Sequence, residues 1–347
     1  MRLSSLLPVV AAALLVACNS VGPNAMVVGR TAYNDALAST QSEQLLHNLV
    51  RIRYLEMPVF LEVTSVNTQY EVRVNASASI TGVFDSGLDA SVGSSSLGGT
   101  IVERPTVTYA PLQGDAFVKR LMSPMSLDTL ALMVRSGWRV EHVMTICLQA
   151  IGPALNAPFA TGPANEAEVD NEDFLRLVNL LGTASRARGG RLAPDPNGGY
   201  RMELDLGNPA TLAWVTAMGI EPKPIMKVYS GFTLDKSGIV MQPRSLLGAL
   251  FYLSLGIEMP PLHVESGEIP VPPDPRFKEI TRDFFTVHSS TSKPEQAAIK
   301  TYYREHWYYI NDTDYRSKAT FALLTLLFSL QSGDRKATMP AITIPLN

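Results

Sequence analysis

Two cysteines are the most reactive side chains of this 347-residue sequence, and their surroundings differ. Cys18 directly follows the small side chain of Ala17 at the end of an apolar run. Cys147 lies in an apolar stretch of helical character, where a free cysteine usually behaves as a small buried hydrophobe. A catalytic thiol at Cys147 is the alternative interpretation, but its neighbours offer no positive environment that would favour the thiolate. Cys18 is therefore the cysteine whose position favours a chemical modification of the thiol.

The first eighteen residues have the order of a secretory leader. Arg2 precedes an apolar run from Leu6 to Val16, which is too short to span a bilayer as a permanent helix. The end of this run, Leu15-Val16-Ala17-Cys18, resembles the lipobox of bacterial lipoproteins, in which small residues precede a cysteine that receives a diacylglyceryl group. The resemblance implies that residues 1–17 are a removed signal peptide. It also implies that Cys18 is the lipidation site and the first residue of the mature chain.

Location and partners follow from the same resemblance and from the charge. Asn19 follows the cysteine. In enterobacterial lipoproteins, Asp at this position retains the protein in the inner membrane. By similarity, Asn19 implies a lipid anchor in the outer membrane, with most of the chain in the periplasm. Several buried acyl chains anchor a protein stably. The net charge is −3 and becomes about −4 once Arg2 is removed, so nucleic acid is not an expected partner. The expected partners are the membrane, through lipidated Cys18, and envelope proteins or further copies of this chain.

No other spacing in the sequence is typical of a catalytic site or a metal site. The histidines stand singly, and there is no HExxH, CxxC or GxSxG motif. Gly87 to Gly99 is rich in glycine but lacks the Lys-Ser or Lys-Thr ending of a phosphate-binding loop. Asn311 to Asp314 lacks the glycine and glutamate of a calcium loop and predicts a turn and a helix cap. We therefore expect no catalytic residue, metal or cofactor at the isolated histidines His47, His142, His263, His288 and His306.

The densest aromatic segment runs from Tyr302 to Ile310 and allows two interpretations. Its flat side chains could stack on sugar rings of the cell wall. Alternatively, the segment is a half-buried hairpin around Arg304-Glu305-His306 that packs on the following helix, since aromatic residues favour strands. We expect the packing interpretation to hold, with the helix contributing the apolar stripe Phe321, Leu324, Leu327 and Phe328.

A long amphipathic hairpin is the clearest predicted element. From Val66 to Ile80 apolar and polar residues alternate strictly, which predicts a strand with one dry and one wet face. Alternation resumes between Ile101 and Tyr109, after a tip rich in glycine and serine. Pro105 favours an edge position or a bend in this second arm.

Helical periodicity and breakers organise the rest of the chain as an α+β fold. The pattern predicts an N-terminal helix from Thr31 to about Glu56, and a helix capped by Ser126 that ends at Gly137. A second helix from Trp138 to Ile151 would complete an αα-hairpin. After it we expect helices at 172–181, 209–218, 244–255 and 317–331 and strands at 200–206, 225–229, 284–289 and 341–345. The expected organisation is a signal peptide (1–17), a lipidated tether (18–30), a region of helix, β-hairpin and αα-hairpin (31–156), a linker (157–171) and an α+β C-terminal domain (172–347).

Three classes of function fit these features. Taken with the lipobox and the N-terminal helix, the segments Glu103-Arg104-Pro105, Pro111-Leu112-Gln113-Gly114 and Trp307 to Asp312 resemble an uncharacterised class of proteobacterial envelope lipoproteins, which implies no activity. We expect a non-enzymatic envelope assembly, scaffold or interaction component. The alternative is an oligomeric pore or secretion lipoprotein, in which the hairpin of residues 66–109 from several protomers closes into a transmembrane β-barrel. A periplasmic enzyme with a site assembled from residues distant in sequence is the third class.

Overall fold

The computed structural model describes residues 31–79, 94–157, 171–231, 238–270 and 275–332. Helices and mixed sheets give the α+β fold that the sequence predicts. The chain divides into two compact units, which we call the hairpin unit (Val59–Leu112) and the main body (Met1–Pro58 and Gln113–Asn347). The signal peptide, the tether with Cys18 and the strand expected at 341–345 lie outside the described residues.

The elements are numbered in chain order. The helices are α1 (31–53), α2 (Asp115–Met122), α3 (Leu127–Arg135), α4 (Val140–Cys147), α5 (Glu172–Arg186), α6 (Pro209–Ala217), α7 (Leu246–Ser254), α8 (Pro261–Glu265) and α9 (Tyr315–Ser332), and Pro275–Glu279 form a 3-10 turn. The strands are β1 (Phe60–Ser79), β2 (Ser94–Leu112), β3 (Leu148–Ile151), β4 (Ala154–Leu155), β5 (Gly190–Pro194), β6 (Tyr200–Leu204), β7 (Ile225–Ser230), β8 (Ile239–Pro243), β9 (His288–Ser290), β10 (Ala297–Tyr303) and β11 (His306–Asn311).

The hairpin unit confirms the predicted long hairpin. Strands β1 and β2 pair antiparallel along their whole described length, and the pairing starts further from the tip than the alternation predicts, at Phe60 opposite Leu112. Pro105 lies within β2 opposite Thr68. Because β2 pairs only with β1 in the described chain, it is the edge strand that this proline favours.

A six-stranded sheet in the order β4-β3-β8-β7-β6-β5 forms one part of the main body, and only β7 and β8 run parallel. It corrects two predictions. The helix expected up to Ile151 ends at Cys147, because the carbonyls of Thr145 and Leu148 accept the amide of Asn156 instead of continuing the helix. The expected linker at 157–171 does not separate two compact units, since strands before and after it belong to this one sheet.

The three-stranded sheet β10-β11-β9 forms another part of the main body. Arg304 and Glu305 have φ values of 44° and 64°, the left-handed conformation that a two-residue turn between antiparallel strands requires. The hairpin expected around these residues is therefore confirmed. The strand expected at 284–289 forms only from His288 onward.

Helix α9 buries the predicted stripe. Its residues Phe321, Leu324 and Leu327 are buried, and α2 and α7 are among the elements it contacts. The inner face of the aromatic hairpin contacts α1 and the residue after it, through His47 and Tyr54. The packing of this hairpin on α9 stays a prediction.

Candidate functional site

The hairpin unit is the first candidate site, because its strands have no third partner among the described residues. Near its base a bulge at Thr64 shifts the register, with Val63 opposite Tyr109 and Ser65 opposite Thr108. Val107 and Tyr109 are 38% and 59% exposed. The described base of the ribbon therefore presents large apolar side chains to solvent.

The register fixes which residues share a face of the ribbon. Directly opposite residues of antiparallel strands lie on the same side of the sheet. Val72 pairs with Ile101 and Ala76 with Leu97, so these apolar types share one face. The alternate pairs include Arg73 with Thr100 and Ser77 with Ser96, which are polar. The amphipathic order predicted for β1 extends to β2 except at Val102 and Glu103, which pair with Glu71 and Tyr70 and reverse it.

A second candidate is a tyrosine–histidine cluster in the main body. The hydroxyl of buried Tyr54, just after α1, lies 2.6 Å from Nδ1 of His263 on α8 and 2.8 Å from the hydroxyl of Tyr308 on β11. One consistent arrangement has Tyr308 donating to Tyr54 and Tyr54 donating to an unprotonated Nδ1 of His263. The ring of His306 lies 5.0 Å from that of His263. The fold thus brings together two of the histidines that stand alone in the sequence.

Charged residues surround this cluster. Arg304, in the β10–β11 turn, lies 4.4 Å from the centre of the Tyr54 ring and pairs with Glu56 at 3.0 Å and with Glu268 at 2.5 Å. Tyr303 donates to Glu56 at 2.5 Å, and Arg51 pairs with the same carboxylate at 3.1 Å. Burial acts to raise the pKa of Glu56, but these three hydrogen bonds outweigh it and leave the pKa below its usual value.

The chemistry open to the cluster is limited by its own bonds. Burial raises the pKa of Tyr54, and burial together with the hydrogen bond to Tyr54 raises that of Tyr308, so both phenols stay protonated at neutral pH. No group of three or more metal-ligating side chains occurs among the described residues. The bonds join α1, α8 and the β10–β11 turn, and we interpret the cluster as a fastening of these elements.

Of the other three histidines, His47 lies beside the cluster, with its ring 5.0 Å from that of Tyr303, and His142 and His288 lie elsewhere. His47 bonds Thr301 at 3.1 Å, and burial, followed by the charge of Arg51, lowers its pKa. His142 lies 3.0 Å from the Thr320 hydroxyl, which itself donates to a backbone carbonyl, so Nε2 of His142 must be the donor. His288 pairs with Glu258 at 3.0 Å.

Cys147 is fully buried, and burial raises the pKa of its thiol to about 12. A thiol with that pKa stays protonated at neutral pH and is a poor nucleophile. The expectation of a small buried hydrophobe is confirmed. Cys18 lies outside the described residues.

The turn and cap predicted at 311–314 are confirmed. Asp314 accepts hydrogen bonds from the backbone N–H of Arg316 and of Ser317, both at 3.1 Å, and its second oxygen accepts the Ser317 hydroxyl at 2.6 Å. These bonds satisfy the first turn of α9. Lys318 pairs with Asp312 at 2.6 Å. Both carboxylates therefore have partners within the turn and the helix it begins.

The outer face of the aromatic hairpin keeps the sugar-stacking interpretation open. Tyr302 is 52% exposed, and its ring centre lies 5.1 Å from that of Trp307 on the opposite strand. Lys293 lies 5.5 Å from the Trp307 ring centre. Two neighbouring aromatic rings are therefore present on the outer face, and sequence reasoning did not separate these outward residues from the inward Tyr303 and Tyr308.

Several residues of these sites carry no local sequence signal. Tyr54, Glu56 and Glu268 meet Arg304 only because the chain brings together residues more than thirty positions apart. None of the described helices is long and apolar enough to cross a membrane. Comparison with protein-family models, with curated proteins and with solved structures found no match to this chain.

Proposed function

We propose that this protein is a non-enzymatic assembly component of the bacterial envelope, anchored in the outer membrane by lipidated Cys18. Its hairpin unit pairs edge to edge with the hairpin units of other copies. The observation that carries the proposal is the two-stranded ribbon, in which β1 and β2 pair with each other and with no third described strand. The anchor is supported by the lipobox at residues 15–18.

The dimensions of the ribbon favour self-association. Its strands have 20 and 19 residues, so each is roughly 60 Å long at about 3.3 Å per residue. An isolated two-stranded hairpin is marginally stable in water, and proteins normally shield long edge strands. A neighbouring copy supplies a strand of matching length and alternation for each outer edge.

The apolar face adds a second reason for association. Val66 and Val107 form the last apolar pair before the bulge, and the face continues through Val72 and Ile101. Val107 is exposed, and exposed apolar surface marks interaction sites. In an array of hairpins the apolar pairs of neighbouring copies lie on one side of the sheet, which a partner or a membrane can cover.

Disulfide crosslinking tests the edge-to-edge arrangement. Asn67→Cys and Thr106→Cys, both at exposed positions, are made separately, given different tags and expressed together. We expect a disulfide between the two tags under mild oxidation, since β1 of one copy lies beside β2 of the next. Buried Cys147 does not take part.

The double variant is the matched control. Asn67 lies directly opposite Thr106 within one hairpin, so two cysteines there should form an intramolecular disulfide if the register is correct. An intramolecular disulfide in the control, with only monomers from the mixed single variants, would contradict edge-to-edge assembly and leave the hairpin itself intact.

A pore is the second candidate, favoured by the length of the amphipathic ribbon. A strand that crosses a bilayer needs about 9 to 11 residues of alternating character, and the paired strands exceed this. A charge on the lipid face at mid-depth costs about 2 to 4 kcal/mol per copy. Val74→Arg, on the apolar face, should therefore abolish conductance in planar bilayers, whereas Asn75→Arg, on the polar face, should retain it. Lipidated wild type that never conducts would eliminate the pore and leave the assembly role.

A further inference from the structure

The main body contains an apolar cavity, from which we infer a binding site for an anionic amphiphile of the long-chain carboxylate class. The cavity has a volume of about 490 Å³ and lies between β5, β6 and β8 of the six-stranded sheet and helices α3 to α6. Pockets that hold small ligands have volumes of about 300 to 1,000 Å³. The site is separate from the tyrosine–histidine cluster and from the hairpin unit.

The walls of the cavity suit a hydrocarbon chain. They are formed mainly by side chains that are less than a tenth exposed, including Met144, Leu181, Met202 and Leu204. Methionine side chains adapt their shape to a flexible apolar ligand. A groove of about 360 Å³ shares Ala131, Arg135 and Leu192 with the cavity and adds the exposed side chain of Leu132. Asp128 also lines this groove, so the excess of positive charge belongs to the cavity and not to the groove.

Trp214 lines the cavity with its apolar ring. Its side chain is fully buried, and its indole N–H has no acceptor in the described part of the chain. The Nε1 atom itself is buried, so a ligand in the cavity contacts the ring rather than this N–H.

The charges at the cavity select an anion. Arg135 and Arg191 both line it, and no acidic residue is among its lining residues. Arg135 donates a hydrogen bond to the Leu192 carbonyl, an uncharged acceptor that does not neutralise the guanidinium. Arg191 shares the single carboxylate of Glu203 with Arg201, so two cations meet one anion. The excess positive charge complements a carboxylate head group, while the apolar walls accept its chain.

The test uses the lipidated chain in proteoliposomes and a dodecanoate that carries a photoreactive diazirine. We expect photolabelled peptides from the cavity walls, above all from α5 and α6, and competition by unlabelled dodecanoate. Dodecanol, which has the same chain without the charge, should compete less well. Labelling confined to the hairpin unit, or labelling that dodecanoate does not displace, overturns the inference.

Three variants separate the contributions. Ala184→Phe places a large side chain in the cavity wall and should abolish the labelling of that wall. Arg135→Gln should remove the preference for dodecanoate over dodecanol. Arg176→Gln, at an exposed position outside the cavity, is the charge-matched control and should change nothing.

Thermal unfolding of each variant shows whether it folds. If Ala184→Phe does not fold, Ala131→Phe blocks the half-exposed junction of cavity and groove instead. A folded blocking variant that still binds dodecanoate at the wild-type level overturns the inference, as does Arg135→Gln with an unchanged preference for dodecanoate over dodecanol. The hairpin crosslinks are measured in the other compact unit, so failure here leaves the proposed assembly role standing, and the reverse also holds.

Discussion

Arg244 illustrates what single residues contribute to this fold. It is fully buried, and its guanidinium donates to the backbone carbonyls of Thr145, Ile146, Leu148 and Asn156 at 2.6 to 3.2 Å. It also lies 4.0 Å from the centre of the Tyr252 ring. Burial lowers the pKa of Arg244 to about 10, which still leaves it charged at neutral pH. The guanidinium therefore holds the end of α4 against β3 and β8. Backbone carbonyl dipoles, rather than a carboxylate, stabilise its charge.

Arg244→Met should lower the free energy of unfolding by about 2 to 4 kcal/mol, because buried carbonyls lose their donor. Urea unfolding followed by circular dichroism measures the loss. Arg176→Met is the control: Arg176 forms an exposed pair with Asp173, and such pairs contribute little. An unchanged unfolding midpoint for Arg244→Met would mean that the cost of burying the charge cancels its hydrogen bonds.

The His288–Glu258 pair should make stability depend on pH. The hydrogen bond to Glu258 raises the pKa of His288 above 6.5, so its contribution is fully present below pH 6.5 and is lost as the pH rises through the raised value. The hydrogen bond from His288 lowers the pKa of Glu258, so that contribution is present above pH 4.5 and is lost as the pH falls through the lowered value. The pair should stabilise most between about pH 4.5 and 6.5.

Because both side chains are partly exposed, the difference between wild type and His288→Gln should stay below about 1 kcal/mol. Urea unfolding at several pH values measures it, and an NMR titration gives the pKa directly. His142 is the internal control, since burial and Arg139 lower its pKa. Two histidines that titrate together near pH 6.5 would contradict both assignments.

Local sequence signals predicted the roles of single residues well, but they did not predict partners that lie far away in the sequence. Ser126 caps α3 by accepting the N–H of Thr129, three residues away, and the sequence alone indicates it. Arg244 bonds carbonyls 88 to 99 positions away, and nothing in its own neighbourhood indicates that. Trp214 likewise has no local feature that marks it as part of a cavity wall.

Among the elements, the fold differs from the prediction where strand pairing outweighs the local conformational preference of the residues. Strand β5 contains Gly190 and Pro194, residues that disfavour strands, and it exists because the turn at 195–199 folds it back on β6. Residues 148–151 continue a helical apolar pattern but pair with β8. The β1–β2 hairpin was predictable because its alternation is long and its partner is adjacent in sequence.

Helix α9 gives a prediction about packing at the scale of an element. Phe321 is 2% exposed, and its helix contacts α2 and α7. Phe321→Ala should cost about 3 to 5 kcal/mol of unfolding free energy, as the loss of a buried phenylalanine does. Leu326→Ala, at a 37% exposed position of the same helix, should cost much less. Equal effects of the two substitutions in urea unfolding would contradict the described orientation of α9.

At the scale of the whole molecule, composition gave a wrong prediction of the domains, because domain membership depends on strand pairing. The Pro-rich and acidic stretch at 157–171 has the composition of a linker, yet strands that precede and follow it in the sequence, β4 and β5, belong to one sheet. The hairpin of residues 66–109 was predicted as part of a larger domain, and it forms a compact unit of its own. Sequence composition reports solvent exposure, whereas domain membership depends on which distant strands pair.

The last prediction concerns the anchor, on which the proposed location of the whole chain depends. Only a thiol forms the thioether to diacylglycerol, so Cys18→Ser should yield an unprocessed precursor that incorporates no labelled palmitate. Cys147→Ser is the matched control and should be labelled normally, because that thiol is buried in the main body. Asn19→Asp should keep the lipidated protein in the inner membrane if the enterobacterial sorting rule applies. Palmitate labelling that persists in Cys18→Ser would overturn the lipoprotein assignment, since the expected signal peptide would then end at a residue that carries no lipid.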